Sequence, residues 1–576
     1  MTISRRGFVG GAVALGAWGA FGASRPMPRL KFGVLSDVHI GGKPDAAATA
    51  EKAMRWFASE NVDAVLCPGD IAHSGLIDDL EKFAAVWRKV FPKGRRADGS
   101  KVELMISTGN HDIDAWGGRW KNFSPEQMDA QRFNWKDNPQ KTWRRLFGQD
   151  WSLVWRREVK GYTFIGAQWS SLKPPIGEYF REHAAELRGD KPFFYCQHAH
   201  PKGTCHGKYS MGDDKGESVA ALSQFSNAVA ITGHSHCAIS DERTVWQGAF
   251  TSIGAGCVHE GAGGFNYDNV TAYWHPSFRK KLMCSMADPK SWGGDAKGGG
   301  CEIVEVHDDH LVVHRQSVAF MRPIGPAWVV PLPSRKDGPF DFAKRTARRK
   351  AHKAVPQFAA GAKISAEFCP NGHELEGAGH KGEPCIHVTF PRAKTIGGSR
   401  VFDYVVEACA DGGKPVTRSL IAAGFAYPEE DADIPGECLF SVAELPVNKP
   451  IRFSVMPRDC FGLAGTPFSV CVCLSELARG SAGALVEEPR EVGVRLEAGF
   501  LRNLGNGEVG ASKEMHGAAD AQGDLVFERR HSVVFAEPPS EQRVAHAVMP
   551  CQRLEIHDFS EMVRDMQICA ADGYVV

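Results

Sequence analysis

Five short apolar runs in the first half of the chain each stop in residues that can hold a metal ion. They are FGVLSDVH at Phe32–His39, AVLCPGD at Ala64–Asp70, ELMISTGNHD at Glu103–Asp112, FFYCQHAH at Phe193–His200 and AVAITGHSH at Ala228–His236. One such motif is weak evidence: Asp37-Val38-His39 alone is an ordinary polar turn, Gly69-Asp70 is commoner still, and a lone histidine is more often structural than a ligand. The ordered set DxH, GD, GNHD, H, GHxH is hard to obtain by accident. Five strands delivering Asp, His and Asn to one rim predict a metal site.

The elements that must position these residues follow from periodicity. LKFGVLSDVH reads as a buried strand, and Ala46, Ala50, Met54 and Phe57 then recur at helical spacing before AVLCPGD forms a second strand. Leu76, Leu80, Phe83, Trp87 and Val90 make a second helical stripe, and ELMISTGNHD a third strand. Right-handed crossovers in such a βαβαβ unit put all three strand ends on one edge, the usual place for a site. The Trp-rich stretch from Ala115 to Arg157 is expected to form a lid or pocket wall, or else to pack a long loop onto the domain. A strand pair around WRREVKGYTFIGAQW, helices near Glu182–Leu187 and Ser218–Phe225, and later strands up to the Pro-rich PIGPAWVVPLP complete a domain over 28–335.

The chain has 576 residues, enough for two to four domains, and its 68 basic and 68 acidic residues cancel. No global field therefore selects nucleic acid or an anionic membrane, and no nucleic-acid-binding module is evident. Residues 1–24 read as a targeting segment: Ser4-Arg5-Arg6-Gly7-Phe8-Val9 followed by GGAVALGAWGAFGA. The alternative is a Sec signal with two arginines, but the scarcity of Leu, Ile and Val favours twin-arginine export to the periplasm or beyond. That stretch is too short for a good membrane span. Sixteen cysteines are scattered without a CxxC, and Cys471 and Cys473 would share a strand face.

Residues 336–358 form a basic linker, read as a solvated interdomain helix rather than a nucleic-acid patch. Residues 359–475 show only short β runs between Gly, Pro, Asn and Asp, which argues a β-sandwich. Its ending, PIRFSVMPRDCFGLAGTPF, resembles the last two strands of a fibronectin type III domain. Residues 484–576 read as mostly β.

The ordered motifs are the signature set that the sequence shares with the calcineurin-like metallophosphoesterases, a resemblance covering roughly Leu30–Pro333. It implies an α/β fold: a four-layer α/β/β/α sandwich, followed here by one or two C-terminal β-sandwich domains. It also implies that Asp37, His39 and His236 hold one metal, that Asn110, His198 and His234 hold a second, and that Asp70 bridges both. His111 would protonate the leaving alkoxide, with Asp112 as its orienting partner. Imidazole and oxygen donors without thiolate suit two divalent ions drawn from Mn, Fe, Zn or Ni. Phosphatases with a purple ferric centre carry tyrosine three residues after the bridging Asp; His73 stands there, so no tyrosinate-bound iron is expected, and His73 is a candidate substrate contact.

The fourth motif leaves a choice. His198 and His200 are two apart, so strand alternation does not separate them; His198 is taken as the ligand because it directly follows the apolar run, and His200 as a candidate substrate contact. The expected reaction is hydrolysis of a small-molecule or polymeric phosphate ester by in-line attack of a metal-bound hydroxide. GDIAHSG and GNHD are similar to class III cyclic-nucleotide phosphodiesterases, which tilts the expectation towards diesters. The rivals are a 5'-nucleotidase-like monoesterase and a non-catalytic glycan-binding surface protein.

Overall fold

The computed structural model describes residues 27–473 apart from 43, 115–119, 207–214, 259–298, 336, 374–381, 395–399, 423–434 and 447–448. The targeting segment and the 484–576 region lie outside the described residues. No helix among the described residues is long and apolar enough to cross a membrane.

The chain opens with β1 (Leu30–Val34), α1 (Ala46–Ser59), β2 (Ala64–Cys67), α2 (Ile77–Val90) and β3 (Glu103–Ile106). β1, β2 and β3 run parallel, so their carboxyl ends share an edge. α1 buries Ala46, Ala50, Ala53, Met54 and Phe57 on one stripe. α2 carries Asp78 and Asp79 in its first turn and Arg88 and Lys89 in its last, matching the helix dipole at both ends. Three short helices follow: α3 (Asn110–Asp114), α4 (Pro125–Gln131) and α5 (Asn138–Phe147).

The second sheet is built from β4 (Val154–Val159), β5 (Tyr162–Ala167), β6 (Phe193–Cys196), β7 (Ala228–Thr232), β8 (Val245–Gln247) and β9 (Thr251–Gly254), in the order β4-β5-β6-β7-β9-β8. The helices α6 (Ile176–Glu182), α7 (Ala184–Leu187) and α8 (Glu217–Leu222) lie between these strands in sequence. The chain then returns to the first sheet through β10 (Gly300–Val306), β11 (His310–Ser317), β12 (Arg322–Pro323) and β13 (Trp328–Pro331). β10 pairs antiparallel with β1, extending that sheet to seven strands.

Three cores separate four layers. One lies between α1, α2 and the first sheet, one between the sheets, and one between the second sheet and α6 and α8. Phe32 of β1 joins the two sheets, its ring 5.3 Å from Phe164 and 5.0 Å from Phe194. The fold is therefore the expected α/β/β/α arrangement. Several described aromatics of the Trp-rich stretch are packing residues. Trp143 is buried against Phe133, Phe147 and Trp151, and Trp155 of β4 lies in the core between the sheets. Burying a side chain of this size is worth about 2–3 kcal/mol, enough to hold the stretch against α2.

The C-terminal region folds as two antiparallel sheets over one core. One holds β14 (Ser365–Cys369), β15 (Cys385–Phe390) and β18 (Gly436–Ser441) in that order. The other is ordered β17-β16-β19-β20 and comprises β16 (Asp403–Ala410), β17 (Val416–Ile421), β19 (Pro450–Arg458) and β20 (Phe468–Cys473). Cys471 and Cys473 do share a face of β20, but it is the less buried one, and none of the described cysteines is in a disulfide.

The linker helix Phe342–Ala351 corrects one expectation. Most of it is solvated, but Arg349 is buried, reaching Asp459 of the sandwich at 3.0 Å and Glu242 of the first domain. Arg345 adds a contact to Glu242 at 3.1 Å. The helix therefore joins the two domains through one buried cation. Cys237 and Ala238, directly after the GHSH motif, belong to the core of the sandwich.

Candidate metal centre

The carboxyl ends of β1, β2, β3, β6 and β7 converge, and each turn that follows carries donors. Five of these residues hold a left-handed backbone: Asp37 (φ 55), His39 (φ 52), Asp70 (φ 52), His234 (φ 70) and His236 (φ 52). Such a conformation costs a non-glycine residue roughly 1–2 kcal/mol. Its concentration on candidate ligands is strain of the kind that active sites store.

Two glycines let the turns approach this closely. A Cβ on Gly109 would lie 2.1 Å from Asp70 Oδ1, and one on Gly233 would lie 2.4 Å from Asp37 Oδ2. Neither turn has room for a methyl group.

The donors form two clusters. In the first, His236 Nε2 is 3.0 Å from Asp37 Oδ1 and 3.0 Å from His39 Nε2, and His39 Nε2 is 3.8 Å from Asp70 Oδ2. In the second, His198 Nε2 is 3.1 Å from each of Asn110 Oδ1, His234 Nδ1 and Asp70 Oδ2. Asp70 Oδ2 thus faces both clusters. Its other oxygen, Oδ1, accepts the backbone N–H of His111 at 2.8 Å. That bond fixes the carboxylate and leaves one oxygen for both positions.

These residues fit a pair of divalent cations. Imidazole nitrogens and carboxylate or amide oxygens point at one another at 3.0–3.1 Å, and a central positive charge satisfies them together. Burial alone would raise the Asp37 and Asp70 carboxyls, yet neighbouring His236 and His198 hold both below the ordinary carboxylate range. Burial opposes protonation of His198, and Asp70 overcomes it, bringing the imidazole up to about 9; His39, dominated by burial, is pushed down to about 3.

The supporting contacts distinguish the individual residues. His198 donates from Nδ1 to the Pro68 carbonyl at 2.8 Å, which presents Nε2 to the cluster. His200 is buried elsewhere: Nδ1 meets Thr232 Oγ1 at 2.6 Å and Nε2 meets Ser235 Oγ at 2.8 Å. It supports the GHSH turn from behind and touches neither cluster, so its reading as a substrate contact is corrected. β6 ends at Cys196, so the alternation that would have put both histidines on one face has stopped before either is reached. His198→Ala is expected to lose metal from the second position, whereas His200→Ala should retain both ions and lose about 1–3 kcal/mol of stability from unmatched hydroxyls. Metal content after dialysis and a urea titration check both.

Asp112 is corrected as well. Its carboxylate accepts the N–H of Ala72 at 2.7 Å and of Gly109 at 2.8 Å, locking the turns after β2 and β3 together, and makes no bond to the His111 ring. Burial and the charge of Asp70 push it up to about 7. The His111 ring is oriented by the main chain instead, through Nδ1 and the His73 carbonyl at 2.8 Å. The His73 ring lies beside His39, Nδ1 to Nδ1 3.4 Å, and with His39 and His111 forms a third histidine group.

Two residues escaped sequence reasoning. Gln168 Oε1 accepts the N–H of Thr108 at 2.7 Å, steadying the chain before Asn110. The Trp169 ring lies 5.9 Å from that of His198 and 5.5 Å from that of His234. Their signal was positional: AQW closes β5, which runs parallel to β6, so it reaches the same rim without an ionisable group.

Residues 30–238 match the calcineurin-like phosphoesterase family, and this part of the chain is a calcineurin-like metallophosphoesterase domain. Among curated proteins, the UDP-2,3-diacylglucosamine hydrolases of Bordetella parapertussis and Bordetella bronchiseptica are each 31% identical over 78 residues, 14% of this chain and 30% of theirs. The chain thus spans about 30% of the length of these relatives. Among solved structures, a dimetal phosphatase from Danio rerio is 12% identical, covering 52% of this chain and 98% of that one with a TM-score of 0.28. A purple acid phosphatase from yellow lupin seeds is 13% identical, covering 53% and 55% with a TM-score of 0.32.

Proposed function

We propose that this protein is an exported phosphoesterase that uses two divalent ions, with diesters favoured over monoesters. The observation that carries the reading is the pair of donor clusters sharing Asp70 Oδ2. When bound, two such ions offset the negative charge of a phosphate ester and supply a nucleophile from water near neutral pH. Asp37, His39 and His236 would hold one ion; Asn110, His198 and His234 would hold the other; Asp70 would serve both. Asn110 contributes an oxygen without charge, which keeps the site attractive to an anion. Export rests on the N-terminal Ser-Arg-Arg segment.

His111 is the residue to deliver a proton to the leaving oxygen. The His73 carbonyl can only accept, so it keeps a proton on His111 Nδ1, and Nε2 is the atom that exchanges one. His111→Ala should retain both ions and slow alkyl esters by roughly 10²–10⁴-fold, while an activated nitrophenyl ester, which needs little protonation, slows far less. Equal slowing of both would remove the acid role.

The test of the whole reading is a phosphoester panel on Mn-loaded protein, with Asp70→Asn beside it. No hydrolysis of any ester would overturn it, and turnover of p-nitrophenyl phosphate but not of its bis-ester would reverse the diester preference. For the sandwich, the fibronectin type III reading is supported by the strand partition: the first, second and fifth strands on one sheet, the remaining four on the other.

A further inference from the structure

A cavity of about 370 Å³ runs from His198 along Trp169 to Glu217 at the start of α8. Its size falls within the range of about 300–1,000 Å³ usual for small-molecule sites. Ala167 and Ile176 supply apolar wall, and Trp169 supplies a half-buried aromatic ring in contact with His198 and His234.

Several polar side chains around the cavity are matched within the protein. The Tyr195 hydroxyl donates to Gln197 Oε1 at 2.8 Å, the Gln197 amide donates to the Ala199 carbonyl at 2.8 Å, and Glu217 is paired with Lys173. Gln168, also in the wall, keeps its Oε1 on Thr108 but leaves a buried Nε2 without a partner among the described residues, so beyond one acceptor a ligand gains little here from further polar groups. An aromatic ring has no polar group of its own to desolvate and gains the Trp169 face.

We propose that this cavity seats the organic substituent of the phosphoester and takes a flat aromatic ring system stacked against Trp169. The phosphate then lies towards His198 and Asn110. This rests on the phosphoesterase reading, and the experiment separates the two.

Naphthylmethyl phosphate and ethyl phosphate, and likewise their bis-esters, release alcohols of similar acidity, so the naphthyl-to-ethyl kcat/KM ratio within each class on the Mn-loaded full chain reports recognition rather than leaving-group chemistry. Calorimetry with naphthylmethylphosphonate and ethylphosphonate reports binding without turnover. The expected result is a preference of about tenfold or more for the naphthyl compound in both assays, the scale on which an apolar pocket discriminates. Trp169→Ala should bring both ratios close to one. Because Trp169 touches two ligands, Ala167→Leu, which narrows the cavity from β5, is the second variant and should lower the ratios too. Equal binding of the two phosphonates overturns the inference, as does a preference that survives both variants. Tight naphthyl binding with no ester hydrolysed would retain the pocket and overturn the phosphoesterase reading. Hydrolysis without preference would do the reverse.

Discussion

Asp70→Asn is expected to abolish hydrolysis and to strip the protein of at least one ion. Asparagine can still accept the His111 N–H, but its second atom is then an amide nitrogen, a donor aimed at the point where Oδ2 faces His198 and His39. The lost charge matters as much as the geometry. A unit charge about 4 Å from another contributes about 4 kcal/mol at an effective dielectric of 20, roughly a thousandfold in affinity. Since Oδ2 serves both clusters, one substitution weakens both positions. Metal content after dialysis and turnover of bis(p-nitrophenyl) phosphate are the measurements. Two retained ions with activity within tenfold of the unaltered protein would show that Asp70 does not join the clusters.

The second large effect lies far from the chemistry. Arg349→Met should destabilise the protein by about 3–5 kcal/mol, because Glu242 and Asp459 would remain buried without their shared cation. Arg345 partly compensates at Glu242, but Asp459 is fully buried. A fall in Tm of roughly 10 °C is expected, since each kcal/mol is worth about 2–4 °C for domains of this size. The triple variant R349M/E242Q/D459N should recover much of the loss, as the unpaired charges rather than the missing contact carry the cost. The same lock bears on the metal centre. Glu242 follows His236 by six residues, and Cys237 and Ala238 between them are part of the sandwich core. Loosening it is therefore expected to weaken metal retention at the His236 position. A variant that keeps its Tm would show that the two domains fold without this junction.

The amino-acid sequence by itself determined which chemical groups meet and roughly where. An apolar run of four or five residues ending in Asp, His or Asn is legible because strand formation and ligand chemistry are both local. Five such runs leave little freedom in how parallel strands can place their ends. The helical stripes of α1 and α2 were legible for the same reason. Gln168 and Trp169 were not, because neither bears a group whose chemistry demands a partner.

What only the tertiary structure decided was which atom of each group faces which neighbour. His198 and His200 differ by a single turn taken after β6 has ended, where no periodicity applies. Asp112 satisfies two backbone N–H groups brought together by adjacent strands, and that demand outweighs any bond to the ring of its neighbour His111. Asp70 uses one oxygen for both clusters because a backbone N–H of α3, just after the next strand, holds the other. Arg349, in a helix that reads as solvated, is buried because two acidic residues from separate domains close over it. In each case the deciding partner lies on another element, and its distance and direction are set by packing that residue type and local spacing do not encode.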